Sequence, residues 1–264
     1  MLIVTDAAQK NMLYKNTASG GAFEEWSAHA IMTETAHYAT NRAVFADYTG
    51  DGKVDLFMAT DTANVLWKNA GSGVMAKVNG AISSEDASTS SRDALFADYD
   101  GDGDLDLMVL NGGGTSAVNF VYQNVNGVFK KVSGAAPATT SADSLTAAFG
   151  DYDNDGDLDL VVVNKFAFHV FENAVTGDWH QVTASRLIEG AKKAFGGAWA
   201  DIDGDGDLGA PRHPNDSHPT LIGGCFGCQA SSNPSRPLPC ASPIRRPDRR
   251  KQRRRERALL ECGR

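Results

Sequence analysis

Long apolar runs are absent from this 264-residue sequence, and most of it also lacks cysteine and proline. The longest candidate run, residues 158–163, is interrupted by Asp159 and is far shorter than the roughly 20 residues that cross a bilayer. All four cysteines and eight of the nine prolines lie in the last 55 residues, so no disulfide framework holds the rest together. The first six residues lack the basic start, apolar core and cleavage site of a secretory signal. We expect neither a membrane span nor a signal peptide in the sequence as it stands.

Charge is divided as unevenly as cysteine. Residues 1–209 carry 13 Lys and Arg against 29 Asp and Glu, a formal charge of −16, whereas residues 210–264 carry 12 against 4, or +8. The net charge of −8 therefore describes neither part of the chain. We predict two regions, a body at residues 1–208 and a basic tail at residues 209–264.

The body is an internal repeat. Four acidic segments begin 51, 53 and 50 residues apart, at Asp47, Asp98, Asp151 and Asp201. A second marker is an aromatic residue followed two positions later by asparagine. It recurs before the first acidic segment and between the later ones, and ends at Asn16, Asn69, Asn124 and Asn173. Self-similarity at a fixed period of this length is typical of solenoids and propellers.

Each period holds four short strand-like pieces. In the second period they are Ala43–Ala46, Leu56–Ala59, Val65–Lys68 and Val74–Val78, rich in β-branched and aromatic residues and bounded by Gly, Asn, Asp and Ser. Helical periodicity is weak, and residues 184–194 come nearest to it. Four strands per period predict an all-β fold of β-propeller blades, which must stack because a single sheet cannot bury both of its faces. The repeated tryptophans, at positions 26, 67, 179 and 199, are predicted to lie in the core.

The acidic segments have the spacing of a loop that wraps one cation. In Asp-x-Asp-x-Asp-Gly-x-x-Asp, carboxylates at positions 1, 3, 5 and 9 converge, glycine at position 6 allows the sharp turn, and position 7 offers a backbone carbonyl. The candidate ligands are Asp47, Thr49, Asp51, Lys53 and Asp55; Asp98, Asp100, Asp102, Asp104 and Asp106; Asp151, Asp153, Asp155, Asp157 and Asp159; and Asp201, Asp203 and Asp205. Hard oxygen ligands of this number favour Ca²⁺ over Mg²⁺, which keeps more water.

The four loops differ in their carboxylates. The second and third have all four, the first has Thr49 at position 3, and the fourth has Gly209 where the last aspartate belongs. We expect the first loop to bind calcium more weakly and the fourth to be impaired. An EF-hand is excluded, because it requires Glu at position 12 between helices, whereas Met58, Val109 and Val162 occupy that position here.

These residues resemble the FG-GAP/VCBS-type repeat of integrin α-subunit heads and of many bacterial surface and secreted proteins. The resemblance is carried by residues 149–160, Phe-Gly-Asp-Tyr-Asp-Asn-Asp-Gly-Asp-Leu-Asp-Leu, and by the Tyr-Gln-Asn element at 122–124, and it covers residues 2–208. It implies a calcium-binding propeller, typically of seven blades, that is extracellular or on the cell surface. Only about four periods are present, and residues 2–16 align with 56–69, so we expect a fragment whose remaining blades come from a longer parent chain or from assembly.

The tail departs from the repeat within the fourth acidic loop. A zinc site is one hypothesis for the tail, with Cys225, Cys228 and Cys240 and either His213 or His218 as ligands. The basic run 249–257 could be a phosphate-binding or targeting arm. Asn215 begins a glycosylation sequon. A frameshift in GC-rich coding DNA would also give this mixture of Arg, Pro, Ala, Gly, Ser and Cys. Under every reading we expect residues 209–264 to be disordered.

No catalytic motif is present. The sequence has no G-x-S-x-G, H-E-x-x-H or phosphate-binding loop, residues 112–114 read as a turn, and His169 in its aromatic strand reads as a packed side chain. We predict a non-enzymatic module that recognises a protein or glycan in adhesion, with no nucleic-acid partner and no cofactor other than Ca²⁺. Two alternatives stay open, the propeller of a secreted polysaccharide lyase or hydrolase and a purely structural scaffold.

Overall fold

The computed structural model describes residues 2–4, 11–17, 21–34, 39–80, 82, 89–174, 177–183, 196–201 and 208. All of them belong to one compact unit, Met1–Phe226. Residues 184–194, which come nearest to helical periodicity, and the whole predicted tail, with its zinc, basic and glycosylation motifs, lie outside the described residues. The boundary at residue 208 and the disorder of the tail therefore stay predictions.

The described part of the chain is all-β, with two short helices. Its strands are β1 (Leu2–Val4), β2 (Met12–Asn16), β3 (Phe23–Glu25), β4 (Thr40–Ala46), β5 (Asp55–Thr60), β6 (Val65–Gly71), β7 (Val74–Val78), β8 (Ser91–Ala97), β9 (Asp106–Asn111), β10 (Ala117–Val118), β11 (Phe120–Val125), β12 (Val128–Lys131), β13 (Ser141–Ala142), β14 (Ser144–Gly150), β15 (Asp159–Asn164), β16 (Phe168–Asn173) and β17 (Trp179–Val182). The helices are α1 (Ala30–Glu34) and α2 (Ala136–Thr139). None of the helices among these residues is long and apolar enough to span a membrane.

The strands form antiparallel sheets in chain order, as propeller blades do. Sheet 1 is β1-β2-β3, sheet 2 is β4-β5-β6-β7, sheet 3 is β8-β9-β11-β12 and sheet 4 is β14-β15-β16-β17. Two further strands pair antiparallel as a short ribbon. One is β10, which lies between β9 and β11 of sheet 3 in the chain, and the other is β13, which directly precedes β14 of sheet 4. The first strands of neighbouring sheets lie side by side, β4 next to β8 and β8 next to β14. The predicted all-β fold with four-stranded blades is confirmed.

Strand positions follow the sequence signals closely. All four strands predicted in the second period are present, and the first three extend one to three residues beyond the predicted ends. Sheet 1 has three strands, and its pair β1–β2 has the register of β5–β6, with Leu2 opposite Tyr14 as Leu56 lies opposite Trp67. Residues 112–114 form the predicted turn, where the φ angles of Gly113 and Gly114 are positive.

The second strands are buried on both faces, and this places the core between sheets. In β5, Phe57 faces a cluster shared with sheet 3, while the next residue, Met58, faces a cluster on the other side of sheet 2. In β9, Leu107 and Met108 divide in the same way between sheets 2 and 4. Successive side chains point to opposite faces of a strand, so the unbroken apolar runs of β5, β9 and β15 match burial on both faces.

The predicted tryptophan core is confirmed in part. Trp67 and Trp179 are buried, whereas Trp26 and Trp199 are half-buried. Trp199 stacks on Tyr152 with ring centroids 5.7 Å apart, and Trp26 lies 4.4 Å from the ring of His29. Both are packed at the margin of a sheet rather than inside the core.

Candidate metal centres

The three described acidic loops occupy one structural position. Residues 47–54, 98–105 and 151–158 connect the first and second strands of sheets 2, 3 and 4. Because the sheets stack in order, the same end of each sheet carries one loop. The side chains at positions 1 to 9 can therefore be compared residue by residue.

The first aspartate closes each loop on its own backbone. Asp47 accepts hydrogen bonds from the N–H groups of Asp51 and Gly52, at 3.2 and 2.7 Å. In the other two loops the N–H of Gly103 donates to Asp98 at 3.0 Å, and the N–H of Gly156 donates to Asp151 at 3.1 Å.

Glycine at position 6 is required by its backbone conformation. Its φ angle is +80°, +95° and +99° in the three loops, a region that residues with a Cβ rarely adopt. Position 4 is also left-handed, with glycine in two loops and Asn154 in the third. Asparagine is among the few other residues that tolerate this region.

The last aspartate of each loop is buried at the start of the second strand. Asp106 is 1% exposed and accepts hydrogen bonds from the N–H groups of Tyr99, at 3.1 Å, and Asn124, at 2.8 Å. Asp159 is held in the same way by Tyr152 and Asn173, both at 2.9 Å. Burial, reinforced by neighbouring carboxylates, raises the pKa of both aspartates to about 7.

Two loops bring three carboxylates together. In loop 2 an oxygen from each of Asp98, Asp100 and Asp106 lies within 4.8 Å of the others, and in loop 3 Asp151, Asp153 and Asp159 do the same. This all-oxygen donor set fits calcium, which takes carboxylate oxygens as ligands.

Loop 2 also has a buried carboxylate oxygen that a cation could satisfy. Oδ1 of Asp98 is buried and has no hydrogen-bond partner in the described part of the chain. A buried carboxylate oxygen without a partner is costly, and a cation bound by Asp98 would satisfy it. Gln123 fixes the neighbouring Asp100 through a 2.6 Å hydrogen bond from Nε2 to Oδ2.

The fifth and seventh positions lie outside these groups of three. The carboxylates of Asp102 and Asp155 instead accept the N–H groups two residues ahead, at 2.8 and 2.9 Å. The side chain of Asp104 accepts the N–H of Asn126 at 2.7 Å. Positions 1, 3 and 9 are thus the ones that the described structure gathers.

Loop 1 differs in having two lysines beside one of its carboxylates, while Oδ2 of its last aspartate, Asp55, is buried without a hydrogen-bond partner among the described residues. Lys53, at position 7, places its Nζ 3.1 Å from Asp51 Oδ2, and Lys68 Nζ lies 3.9 Å from the same oxygen. The hydrogen bond from Lys53 lowers the pKa of Asp51, whereas burial raises the pKa of Asp55. With Thr49 at position 3, the acidic residues of loop 1, all of them described, do not form a group of three.

Loop 4 is described only at Asp201 and Leu208. Asp201 is exposed, while Asp203 and Asp205 lie outside the described residues. The expected impairment of this loop stays a prediction.

The repeated asparagine has a role that the sequence did not reveal. Asn124 Nδ2 donates to the carbonyl of Tyr48, in the loop of the preceding sheet, at 2.8 Å and to Leu105 in its own loop at 2.9 Å. Asn173 makes the equivalent bonds to Tyr99 at 2.7 Å and Leu158 at 3.2 Å. Asn124 and Asn173 therefore each tie one acidic loop to the preceding one. The signal in the sequence was the recurrence of asparagine two positions after an aromatic residue.

Comparison with known proteins supports the repeat. The family model described as FG-GAP-like repeat matches residues 47–109 and 98–162. No curated protein matches the chain. Among solved structures, a lectin of Agrocybe aegerita, described as specifically recognising non-reducing terminal N-acetylglucosamine, is similar at 18% sequence identity and a TM-score of 0.48. The match covers 79% of this chain and 58% of the lectin chain. Residues 47–162 are thus similar to FG-GAP-like repeats over two overlapping stretches.

Proposed function

We propose that this chain is a calcium-binding β-propeller module of an extracellular or cell-surface protein, and that it recognises a protein or glycan. The observation that carries the calcium part is the pair of three-carboxylate groups at equivalent places in loops 2 and 3. Residues 1–208 would form the repeat region, completed by blades from a longer chain or by assembly. A rigid set of sheets that presents loops at its ends suits recognition.

Calcium would act as a structural cross-link. Asp98, Asp100 and Asp106 would hold one ion and Asp151, Asp153 and Asp159 a second, joining both strands of each hairpin through its loop. The ion supplies the positive charge that three converging carboxylates need, because like charges at this distance repel. Asn124 and Asn173 would then pass the ordering of each loop to the neighbouring sheet.

Thermal unfolding of the full chain tests this role. Millimolar CaCl₂ should raise the melting temperature above its value in EGTA, because ligand that binds only the folded state adds about 2.7 kcal/mol per site at a hundred times Kd. Isothermal titration should count at least two calcium ions per chain. An unchanged melting temperature in EGTA would contradict the proposal.

A matched pair of variants separates the loops from general acidity. Replacing both position-3 carboxylates, Asp100→Ala with Asp153→Ala, should remove most of the calcium-dependent stabilisation. Asp178→Ala, at an exposed acidic residue outside the loops, should keep it. If both proteins keep the same calcium-dependent rise in melting temperature, the calcium binds outside these two loops.

A further inference from the structure

A pocket lies at the other end of sheet 4 from its acidic loop. The β9–β10 loop, β13 and the β15–β16 turn line an open pocket of about 330 Å³. The acidic loop precedes β15 and this turn follows it, so the length of the strand separates them. The lining includes Ser116, Ser141, Asp143, Asn164, Phe166 and His169.

The turn that forms the pocket departs from the repeat. The registers of β15–β16 and β5–β6 align Phe166 with Thr62 and His169 with Val65. Phe166 is 63% exposed, and the equivalent turn of sheet 2 is built without an aromatic residue. The blade does not need this ring for packing, and a local departure from a repeat is where function is expected.

The polar groups of the pocket are held in place. Asp143 Oδ1 accepts the N–H groups of Gly113 and Gly114, at 2.9 and 3.2 Å, which fixes the carboxylate and points Oδ2 toward Lys165 Nζ at 3.7 Å. Asn164 is buried, accepts the hydroxyl of Ser144 at 2.9 Å and lies 3.3 Å from His169 Nδ1. Preorganised groups of this kind lose little entropy when a ligand binds.

The charges of the pocket compensate each other. Lys165 pairs with Asp143 and lies 5.5 Å from the ring of Phe166. Burial lowers the pKa of His169, which favours the neutral imidazole. The site therefore presents hydroxyl, amide, carboxylate and imidazole groups beside one exposed ring, with no net charge to attract an ionic ligand.

We propose that this pocket binds one residue of a neutral saccharide. The ring of Phe166 would stack against the C–H face of the sugar, because the negative face of an aromatic ring attracts polarised C–H groups. Asp143 and the hydroxyl of Ser141 would hydrogen-bond sugar hydroxyls at the rim. This proposal rests on the proposed recognition function, and adds to it a ligand class and the residues that would contact the ligand.

The test uses the full chain in CaCl₂ on an array of immobilised glycans. The array carries neutral glucose-, galactose-, mannose- and N-acetylhexosamine-terminated glycans beside sialylated and sulfated ones. Binding to at least one neutral class is expected, and its affinity is then measured by titration. Phe166→Thr, which installs the residue of the equivalent turn, should weaken binding at least tenfold, and Phe166→Tyr should keep it within about threefold.

A matched control comes from β3. Phe23 is similarly exposed, at 53%, and Phe23→Thr should leave the affinity unchanged, with equal melting temperatures confirming that all variants fold. Binding that survives Phe166→Thr overturns the pocket while leaving the recognition function standing. A preference for charged glycans, or no binding by a protein that still responds to calcium, overturns the saccharide inference without touching the calcium role.

Discussion

The hydrogen bond from Asn173 to Tyr99 should couple sheet 4 to sheet 3, beside the apolar core that the two sheets share. Its side chain is 0% exposed, and Nδ2 donates to the carbonyls of Tyr99 and Leu158 while Oδ1 accepts the N–H of Gly177 at 3.0 Å. Asn173→Ala removes all three hydrogen bonds at once. Water cannot replace them fully, because the site is buried.

The expected loss follows from those three bonds. Each contributes about 0.5–1.5 kcal/mol net, and a buried group left unpaired costs about 1–3 kcal/mol, so the free energy of unfolding should fall by about 3 kcal/mol. For a domain of this size the melting temperature should drop by roughly 6–12 °C, at about 2–4 °C per kcal/mol.

Urea unfolding followed by circular dichroism measures the loss, with Asn69→Ala as the matched control. Asn69 occupies the same repeat position but is half-buried, and its side chain bonds Val54 and Gly71 of its own sheet, at 3.0 and 2.9 Å. Its replacement should cost about 1 kcal/mol. Equal losses in both variants would refute the role of Asn173 in joining sheets.

Three further outcomes are expected. Burial raises the pKa of Asp106 and Asp159 to about 7, so in EGTA the folded state keeps protons that the unfolded chain has already released. The melting temperature should therefore fall as the pH rises from 5 to 8, and a melting temperature that does not change with pH would contradict this. Thr49→Asp restores the missing carboxylate of loop 1 and should enlarge the calcium-dependent rise in melting temperature, whereas an unchanged increment would show that loop 1 binds no ion even then. Gly156→Ala, at φ +99°, should cost about 1–2 kcal/mol in urea unfolding, and the same change at Gly134, which has open space and an ordinary φ, should be nearly neutral; equal effects would argue against backbone strain.

The sequence predicted what depends on local spacing. Of the four carboxylates expected to converge in loops 2 and 3, those at positions 1, 3 and 9 lie together. Asp102 and Asp155, at position 5, instead accept backbone N–H groups, which the spacing alone did not indicate. The second strand of each sheet could also be predicted, because the unbroken apolar run after each acidic loop indicates a strand buried on both faces. The turn residues at the loop ends fixed where each strand begins.

Contacts between repeats could not be read in this way. Asn173 reaches Tyr99 across 74 residues, and nothing near Asn173 in the chain indicates which carbonyl it meets. The exposure of Phe166 was equally hidden, because in sequence it stands among the aromatic residues of a strand. Only the register of β15 with β16 places it at the tip of a turn.

The alternation along the second strands makes neighbouring residues independent reporters. Val162 belongs to the core between sheets 3 and 4, whereas Val161, one peptide bond away, packs with Tyr152 and Val170 on the opposite face. Truncating one loosens a single interface and leaves the other closed, because stacked repeats contact only their immediate neighbours. Substitutions at two adjacent residues can therefore measure separately how much each of the two interfaces of a sheet contributes to cooperative unfolding.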